Sequence, residues 1–263
     1  MPIQEKCRIL DHQKVGPKHF KLTITSKYIS THAQPGQFVN VRCSQNYDPL
    51  LRRPLSIHRI AKEHGRFELL YEIIGRGTKL LSEFSVGEEL DVVGPLGKGF
   101  NFDRNKEISI LVGGGMGIAP LLSLAENLKT KANYIFIGAK TRDAVLGEND
   151  FRQVTDQILV STDDGSYGKK GLVSDVLLDF IENELKTTNF GQATIYTCGP
   201  KVMLKAIADI AFQKQISCQV SMEQLMACGI GSCLGCVINT SSGYKKVCDE
   251  GPVFDAREIL WKD

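Results

Sequence analysis

The sequence predicts a multi-domain chain, β followed by α/β, with a small module at its C-terminal end, and three observations predict it. The first hundred residues or so alternate short β-rich runs with turn signals. From about residue 106, buried strands alternate with helical segments. After about Gln219 the texture turns to glycine and cysteine, with little room for a core of its own. A length of 263 residues agrees, since domains run to roughly 100 to 200 residues each.

In the first part, HFKLTITS, QFVNVRC, PLSIHRI, RFELLYEII and ELDVVG read as strands, separated by turn signals at Pro35-Gly36, His64-Gly65 and Val86-Gly87. That spacing fits an antiparallel barrel or a sandwich. The opening, MPIQEKCRILDHQKV, carries acidic residues and no apolar core of signal-peptide length, which points to a cytoplasmic chain.

In the second part Ile108 to Val112 is a buried strand, followed by a glycine-rich turn, a helix over PLLSLAENLKT and a strand YIFIGA. Further αβ units end at ATIYTCGP and a helix from Lys201 to about Gln213, the order of a mainly parallel sheet with crossover helices. In that last helix Met203, Ile207, Ile210 and Ala211 fall at helical spacing and are expected to face the sheet as ordinary core. The most apolar stretch, Ile108 to Leu124, is shorter than the ~20 residues of a membrane span and is broken by glycines and Pro120. Composition shifts divide the chain into 1–103, 104–220 and 221–263. Lys and Arg number 32 against 30 Asp and Glu, so no bulk positive field exists to hold a nucleic acid or an anionic membrane.

Four of the eight cysteines, Cys228, Cys233, Cys236 and Cys248, form the pattern C-x4-C-x2-C-x11-C. Its start is the plant-type spacing for a 2Fe-2S cluster. Gly229, Gly231 and Gly235 lie between the ligands, where the backbone must wrap tightly and aim N–H groups at sulfur. A four-cysteine zinc site is the structural alternative, but zinc ribbons bring two close C-x2-C pairs and here only Cys233 and Cys236 form one. Of the scattered cysteines, Cys7, Cys43 and Cys218 read as small buried hydrophobes.

Gly113, Gly114, Gly115, Gly117 and Pro120 follow the buried strand in GGGMGIAP, a pattern suited to a dinucleotide's pyrophosphate, although it is not the G-x-G-x-x-G fingerprint. A tight strand-to-helix turn of any α/β domain reads the same way. A second set, Arg52, Arg53, Pro54, Leu55 and Ser56, then Leu70, Tyr71 and Glu72, then Gly77 and Thr78, could grip a pyrophosphate and a flavin edge. From spacing alone it reads as a solvated Arg pair and a core Tyr.

Taken together, RRPLSI, GRGT, GGGMGIAP, TCGP, MACGIGSCLGCV and CDEGPVF resemble the ferredoxin reductase superfamily over the whole chain, and within it the electron-transfer subunits of NAD-dependent (type B) dihydroorotate dehydrogenases. The resemblance implies an N-terminal antiparallel FAD-binding barrel, a parallel-sheet NAD-binding domain and a C-terminal 2Fe-2S module. It implies FAD contacts at Arg53, Pro54, Leu55 and Ser56, completed by Leu70, Tyr71, Glu72, Gly77 and Thr78. Leu55 stands where the wider superfamily often has Tyr, which makes Tyr71 the candidate stacking ring. Gly113, Gly114, Gly115, Gly117 and Pro120 would hold the NAD pyrophosphate, and Cys198, Gly199 and Pro200 would close over the nicotinamide. For Cys198 a buried thiol at a strand end is the competing reading. Asp163 and Asp164, at another strand end, would repel the 2′-phosphate of NADP and favour NAD, and an ordinary Asp-Asp-Gly turn reads equally well there.

A partner with FMN that oxidises dihydroorotate, in a two-by-two heterotetramer serving pyrimidine biosynthesis, also follows from the resemblance. Subunits of sulfite reductases and ferredoxin-dependent transhydrogenases share the first two domains and are the alternatives, with a zinc-stapled interaction module as a third. None of His12, His19, His32, His58 and His64 sits in a nucleophile or acid-base motif, so each is expected at the surface or in the core.

Overall fold

The computed structural model describes residues 1–102, 106–128, 130, 132–185 and 189–261. Six strands, β1 (Ile3–Lys14), β2 (His19–Thr25), β3 (Phe38–Val41), β4 (Arg53–Ala61), β5 (Arg66–Glu72) and β6 (Glu89–Leu96), close into an antiparallel barrel in the order β1-β2-β5-β4-β3-β6. Closure decides between barrel and sandwich and leaves no open edge. The barrel is filled from alternate strand positions, among them Ile9, Leu22, Val39, Val41, Ile57, Phe67, Leu69 and Tyr71. Two short helices, α1 (Lys27–His32) and α2 (Arg76–Leu81), lie in its connections. The sequence reading had no strand at β1, because its inward positions are carried by only Cys7 and Ile9 among charged neighbours. β1 pairs with both β2 and β6, and these two ladders make a polar segment a strand.

The remaining strands are β7 (Ile108–Gly114), β8 (Ala132–Ala139), β9 (Ile158–Thr162), β10 (Lys169–Lys170), β11 (Ala193–Cys198), β12 (Ser217–Ser221), β13 (Val237–Thr240), β14 (Gly243–Lys246) and β15 (Val253–Asp255). Seven of them form one sheet in the order β10-β9-β8-β7-β11-β12-β15, and β13 and β14 form a separate hairpin. Every pair in the seven-stranded sheet is parallel except β12 with β15. Strand order reverses between β7 and β11, the switch point whose crevice is where α/β sheets bind ligands.

The helices are α3 (Leu121–Asn127), α4 (Glu148–Arg152), α5 (Val173–Asn183) and α6 (Lys201–Gln213). The helix read over 120–130 is shorter than expected: Gly115–Ile118 forms a 3-10 turn ahead of it, and Leu128 is already extended. On α6, Leu204 and Ala208 join Ile207, Ile210 and Ala211 on the buried face. Met203 is only partly buried and lies beneath Gly114 and Gly199 instead of in the centre of the face.

The cysteine-rich end has no core of its own, as expected, but packing does hold it. Cys236, Ile238, Val247, Cys248, Phe254 and Ile259 share one apolar cluster with Ile110, Val112, Leu204 and Ile207 of the sheet domain, and with Phe38 and Leu96 of the barrel. β15 returns from this segment to pair with β12 at Val220 and Phe254, so a division at 220/221 falls within β12. The division at 103/104 lies on residues outside those described. No helix among the described residues is long and apolar enough to cross a membrane.

Candidate functional site

Cys228, Cys233, Cys236 and Cys248 are brought together by the segment 228–236 and the turn after β14. Their thiols approach in two pairs. Cys228 lies within hydrogen-bond reach of Cys233, and Cys236 of Cys248. Among the described residues no three His, Cys, Asp or Glu side chains gather around one point. A binuclear iron-sulfur centre asks for thiolates two by two, and this donor set fits it.

Backbone N–H groups point at the sulfurs: Gly231 N donates to Cys248 Sγ at 3.2 Å, Cys233 N to Cys228 Sγ at 3.4 Å, Cys248 N to Cys236 Sγ at 3.4 Å and Gly235 N to Cys233 Sγ at 3.5 Å. Burial opposes ionisation of Cys228, yet N–H groups of Ile230, Cys233 and Ser232 with the Cys233 thiol bring it down to about 6. Burial and the neighbouring Cys236 push Cys248 up to about 12. Gly229 and Gly231 take positive φ of 68° and 81°, and a side chain on Gly231 would press into Asp249 at 2.9 Å.

The second constellation lies on β4, β5 and α2 of the barrel. Arg52 and Arg53 are not an equivalent pair. Arg52 is bound within the barrel, its Nη2 donating to Asp91 Oδ2 at 2.7 Å and its Nη1 to Asp91 O at 2.8 Å. Arg53 instead lies over Gly77, where a Cβ would come within 2.6 Å of its Nε. The structure thus joins Arg53, Pro54, Leu55 and Ser56 on β4 to Gly77 and Thr78 on α2. The Thr78 hydroxyl is occupied by its own turn, accepting from Ile74 N at 3.0 Å and donating to Gly75 O at 3.2 Å, which leaves backbone amides as the part offered to an anion.

Tyr71 corrects the sequence reading. Its side chain is 1% exposed inside the barrel, stacked on Phe20 at 5.7 Å, with its hydroxyl 2.9 Å from His12 Nε2. A ring so enclosed has no face for a flavin. The register of β5 decides this: Phe67, Leu69 and Tyr71 point inward, while Leu70 points out into the apolar cluster of the sheet domain and Glu72 is half-buried at the strand end.

At the crevice, β7 and β11 run side by side with Gly113 opposite Cys198. The two loops beyond them touch through backbone. A Cβ on Gly117 would collide with the Cys198 carbonyl, and one on Gly114 with Met203 Sδ. Gly199, at φ 155°, packs on Gly114. Gly115 has φ 53° and open space above it. So Gly113, Gly114 and Gly117 meet Cys198, Gly199 and Pro200, Gly115 stays open beside them, and Pro120 directly precedes α3. Burial pushes the Cys198 thiol up to about 12, so it is neutral at physiological pH. Asp164 is committed to its own turn, accepting from Ser166 N at 2.9 Å and Ser166 Oγ at 2.6 Å, which holds its carboxyl below the usual range. Asp163 is exposed beside it.

Cys7, Cys43 and Cys218 are buried, as read. Two contacts between parts of the chain were not foreseen. His58 on β4 is fully buried, with Nδ1 2.8 Å from the Ala119 carbonyl of the glycine loop and Nε2 3.6 Å from Asp150 on α4. Lys21 and Arg59 approach the same carboxylate at 3.4 and 3.5 Å. A register shift between Ile57 and Arg59 places His58 and breaks the period-two pattern that would have revealed it. The other is Asn40 on β3, 1% exposed, whose Nδ2 donates to the Cys228 carbonyl at 3.3 Å.

Comparison with known proteins agrees with this arrangement. Residues 6–101 match an oxidoreductase FAD-binding domain, 111–209 an oxidoreductase NAD-binding domain, and 223–260 the iron-sulfur cluster binding domain of dihydroorotate dehydrogenase B. Relatives named dihydroorotate dehydrogenase B (NAD(+)), electron transfer subunit, include one from Geobacillus sp. (strain WCH70), 38% identical over 98% of this chain and 98% of that protein. Another, from Desulforamulus reducens, is 34% identical over 97% and 98%. Among solved structures, an NADH-dependent reduced ferredoxin-NADP oxidoreductase studied for flavin-based electron bifurcation superposes with a TM-score of 0.83, at 32% identity over 97% of this chain and 90% of that one. With barrel, crevice and cysteine loop all in the order of these relatives, the chain belongs to the family of electron transfer subunits of dihydroorotate dehydrogenase B.

Proposed function

We propose that this chain carries electrons from a dihydroorotate-oxidising partner to NAD+. The observation that carries the reading is the seating of the cysteine loop against the barrel, where Asn40 donates to the Cys228 carbonyl and Cys236 and Cys248 pack with Phe38 and Leu96. When bound, the 2Fe-2S cluster handles single electrons, NAD only hydride, and FAD converts between the two.

Cys228, Cys233, Cys236 and Cys248 hold the cluster, and the loop N–H groups stabilise negative charge on their sulfurs. Arg53 and the backbone at Gly77 and Thr78 grip the FAD pyrophosphate. Pro54, Leu55 and Ser56 line the flavin, and Leu70 to Glu72 contribute through backbone, since the Tyr71 ring is enclosed. Gly113, Gly114, Gly115, Gly117 and Pro120 receive the NAD pyrophosphate, with Cys198, Gly199 and Pro200 beside the nicotinamide.

The partner is an FMN-containing catalytic subunit, associated two by two in the cytoplasm. The cysteine-bearing segment supports a docked partner, because Leu225, Ile230, Leu234 and Tyr244 on it are exposed apolar side chains. His12 and His58 are engaged in internal contacts, which is consistent with substrate oxidation residing elsewhere. A second reading, electron exchange between ferredoxin and NADP, draws on the solved relative at 32% identity. Mixing the holoprotein with its partner, dihydroorotate and NAD+ under anaerobic conditions should yield NADH. Failure with dihydroorotate, combined with rapid reduction by NADPH or reduced ferredoxin, would favour the second reading.

A further inference from the structure

We propose that Asn40 is a positioning residue that seats the cluster loop on the flavin-binding strand, an inference that rests on the function just given. β3 is buried throughout, and its residues alternate: Val39 and Val41 fill the barrel, while Phe38 points out into the apolar cluster that includes Cys236 and Cys248. Asn40 shares the outward side, an unusual place for an amide with 1% exposure. Its cross-strand neighbour is Pro54, within the RPLS run.

The amide joins two sites that are far apart in sequence. Its Nδ2 donates to the carbonyl of Cys228, the first cysteine of the cluster loop, at 3.3 Å, and the backbone carbonyl of Asn40 receives Arg52 Nη1 at 3.5 Å. The donor orientation is fixed by chemistry, because turning the amide over would set its oxygen against the Cys228 carbonyl. Gly229 completes the seat: a Cβ there would collide with Asn40 Nδ2, so the loop lies flat on the amide. Asn40 Oδ1 is buried and has no hydrogen-bond partner among the described residues. An aliphatic side chain of this size would avoid that desolvation cost, so stability alone does not explain an amide here. Holding the Cys228 carbonyl does. From the flavin strand to this sulfur the path runs from Pro54 across the β3–β4 pairing to Asn40, over one hydrogen bond to the Cys228 carbonyl, and down that residue's side chain.

The test compares wild type with Asn40→Leu, which keeps the volume and loses the donor, and Asn40→Asp, which keeps the shape and replaces the donor by an acceptor. Flavin, iron and acid-labile sulfide are quantified on each sample. Electron paramagnetic resonance of the reduced cluster and stopped-flow absorbance with NADH are then recorded. In both variants the flavin should be retained and reduced by NADH within about twofold of the wild-type rate. The cluster signal should shift or broaden, and exchange between flavin and cluster should slow by about tenfold or more, as for loss of a contact that orients a metal ligand. Wild-type resonance and wild-type exchange in either variant would overturn the proposal. Loss of FAD from both would also overturn it, by making Asn40 a residue of barrel folding. A wild-type protein without iron, or with a flavin that NADH does not reduce, would instead defeat the function on which the proposal rests.

Discussion

Replacing Cys233 with serine separates the two redox sites at the level of one atom. An alkoxide oxygen is a harder, poorer ligand for iron than thiolate sulfur, so Cys233→Ser should lose most of its cluster iron. FAD should remain, because Arg53, Ser56 and Gly77 lie on β4 and α2 of the barrel and not on the cysteine loop. The check is iron and flavin content together with NADH-dependent reduction of a dye that accepts electrons from flavin; loss of flavin along with iron would contradict the separation. A second residue-scale expectation concerns the nucleotide. With Asp163 exposed and Asp164 held ionised by Ser166, NADH should reduce the flavin faster than NADPH by about tenfold or more in stopped flow. Equal rates would place these carboxylates away from the ribose. Cys228, Cys233, Cys236 and Cys248 could be singled out in the sequence because cluster chemistry needs a fixed spacing along the chain. Tyr71 misled because residue type says nothing about which face of a strand it takes; only the register of β5 against β2 and β4 does.

Elements that join the domains were less legible than elements that fill them. The short helix α4 presents Asp150 to Lys21, His58 and Arg59 of the barrel, and Arg59 also reaches Glu126 on α3 at 2.7 Å. The His58 contact, followed by Lys21 and Arg59, holds the Asp150 carboxyl at about 2, against partial opposition from burial. A depressed carboxyl adds stability that is complete above its ordinary range near 4 and is lost as pH falls through its folded value. Asp150→Asn should therefore cost roughly 1–2 kcal/mol at pH 7. That gap should stay constant down to about pH 5 and narrow below about pH 4. Urea unfolding followed by the fluorescence of Trp261, the single tryptophan, would show it. A pH-independent gap would mean that Asp150 acts through packing. No period in the sequence marks this clasp, since its members come from four elements and one sits in a bulge. β1 was hidden for a related reason: its polar outer face masks a pattern that only pairing with β2 and β6 reveals.

At the scale of the whole molecule, the three segments share one apolar cluster, with Phe38 and Leu96 of the barrel, Ile110 and Leu204 of the sheet domain, and Cys236 and Cys248 of the cysteine segment in it. While the choice of barrel over sandwich came from the family resemblance, the order antiparallel β part, parallel sheet, cysteine loop could be read from periodicity and spacing. The way the loop is held could not, because its core is borrowed: Cys236, Cys248 and Phe254 pack with residues of the sheet domain, and β15 extends that sheet. Passing single electrons on to NAD+ as hydride requires each chain to carry both a flavin and an iron-sulfur centre. The most direct test is quantitative iron, zinc, acid-labile sulfide and flavin analysis of anaerobically purified protein. One FAD and one 2Fe-2S cluster per chain, with an absorption spectrum of both flavin and cluster, is the expected result. A colourless protein that holds zinc in place of iron and sulfide would contradict it.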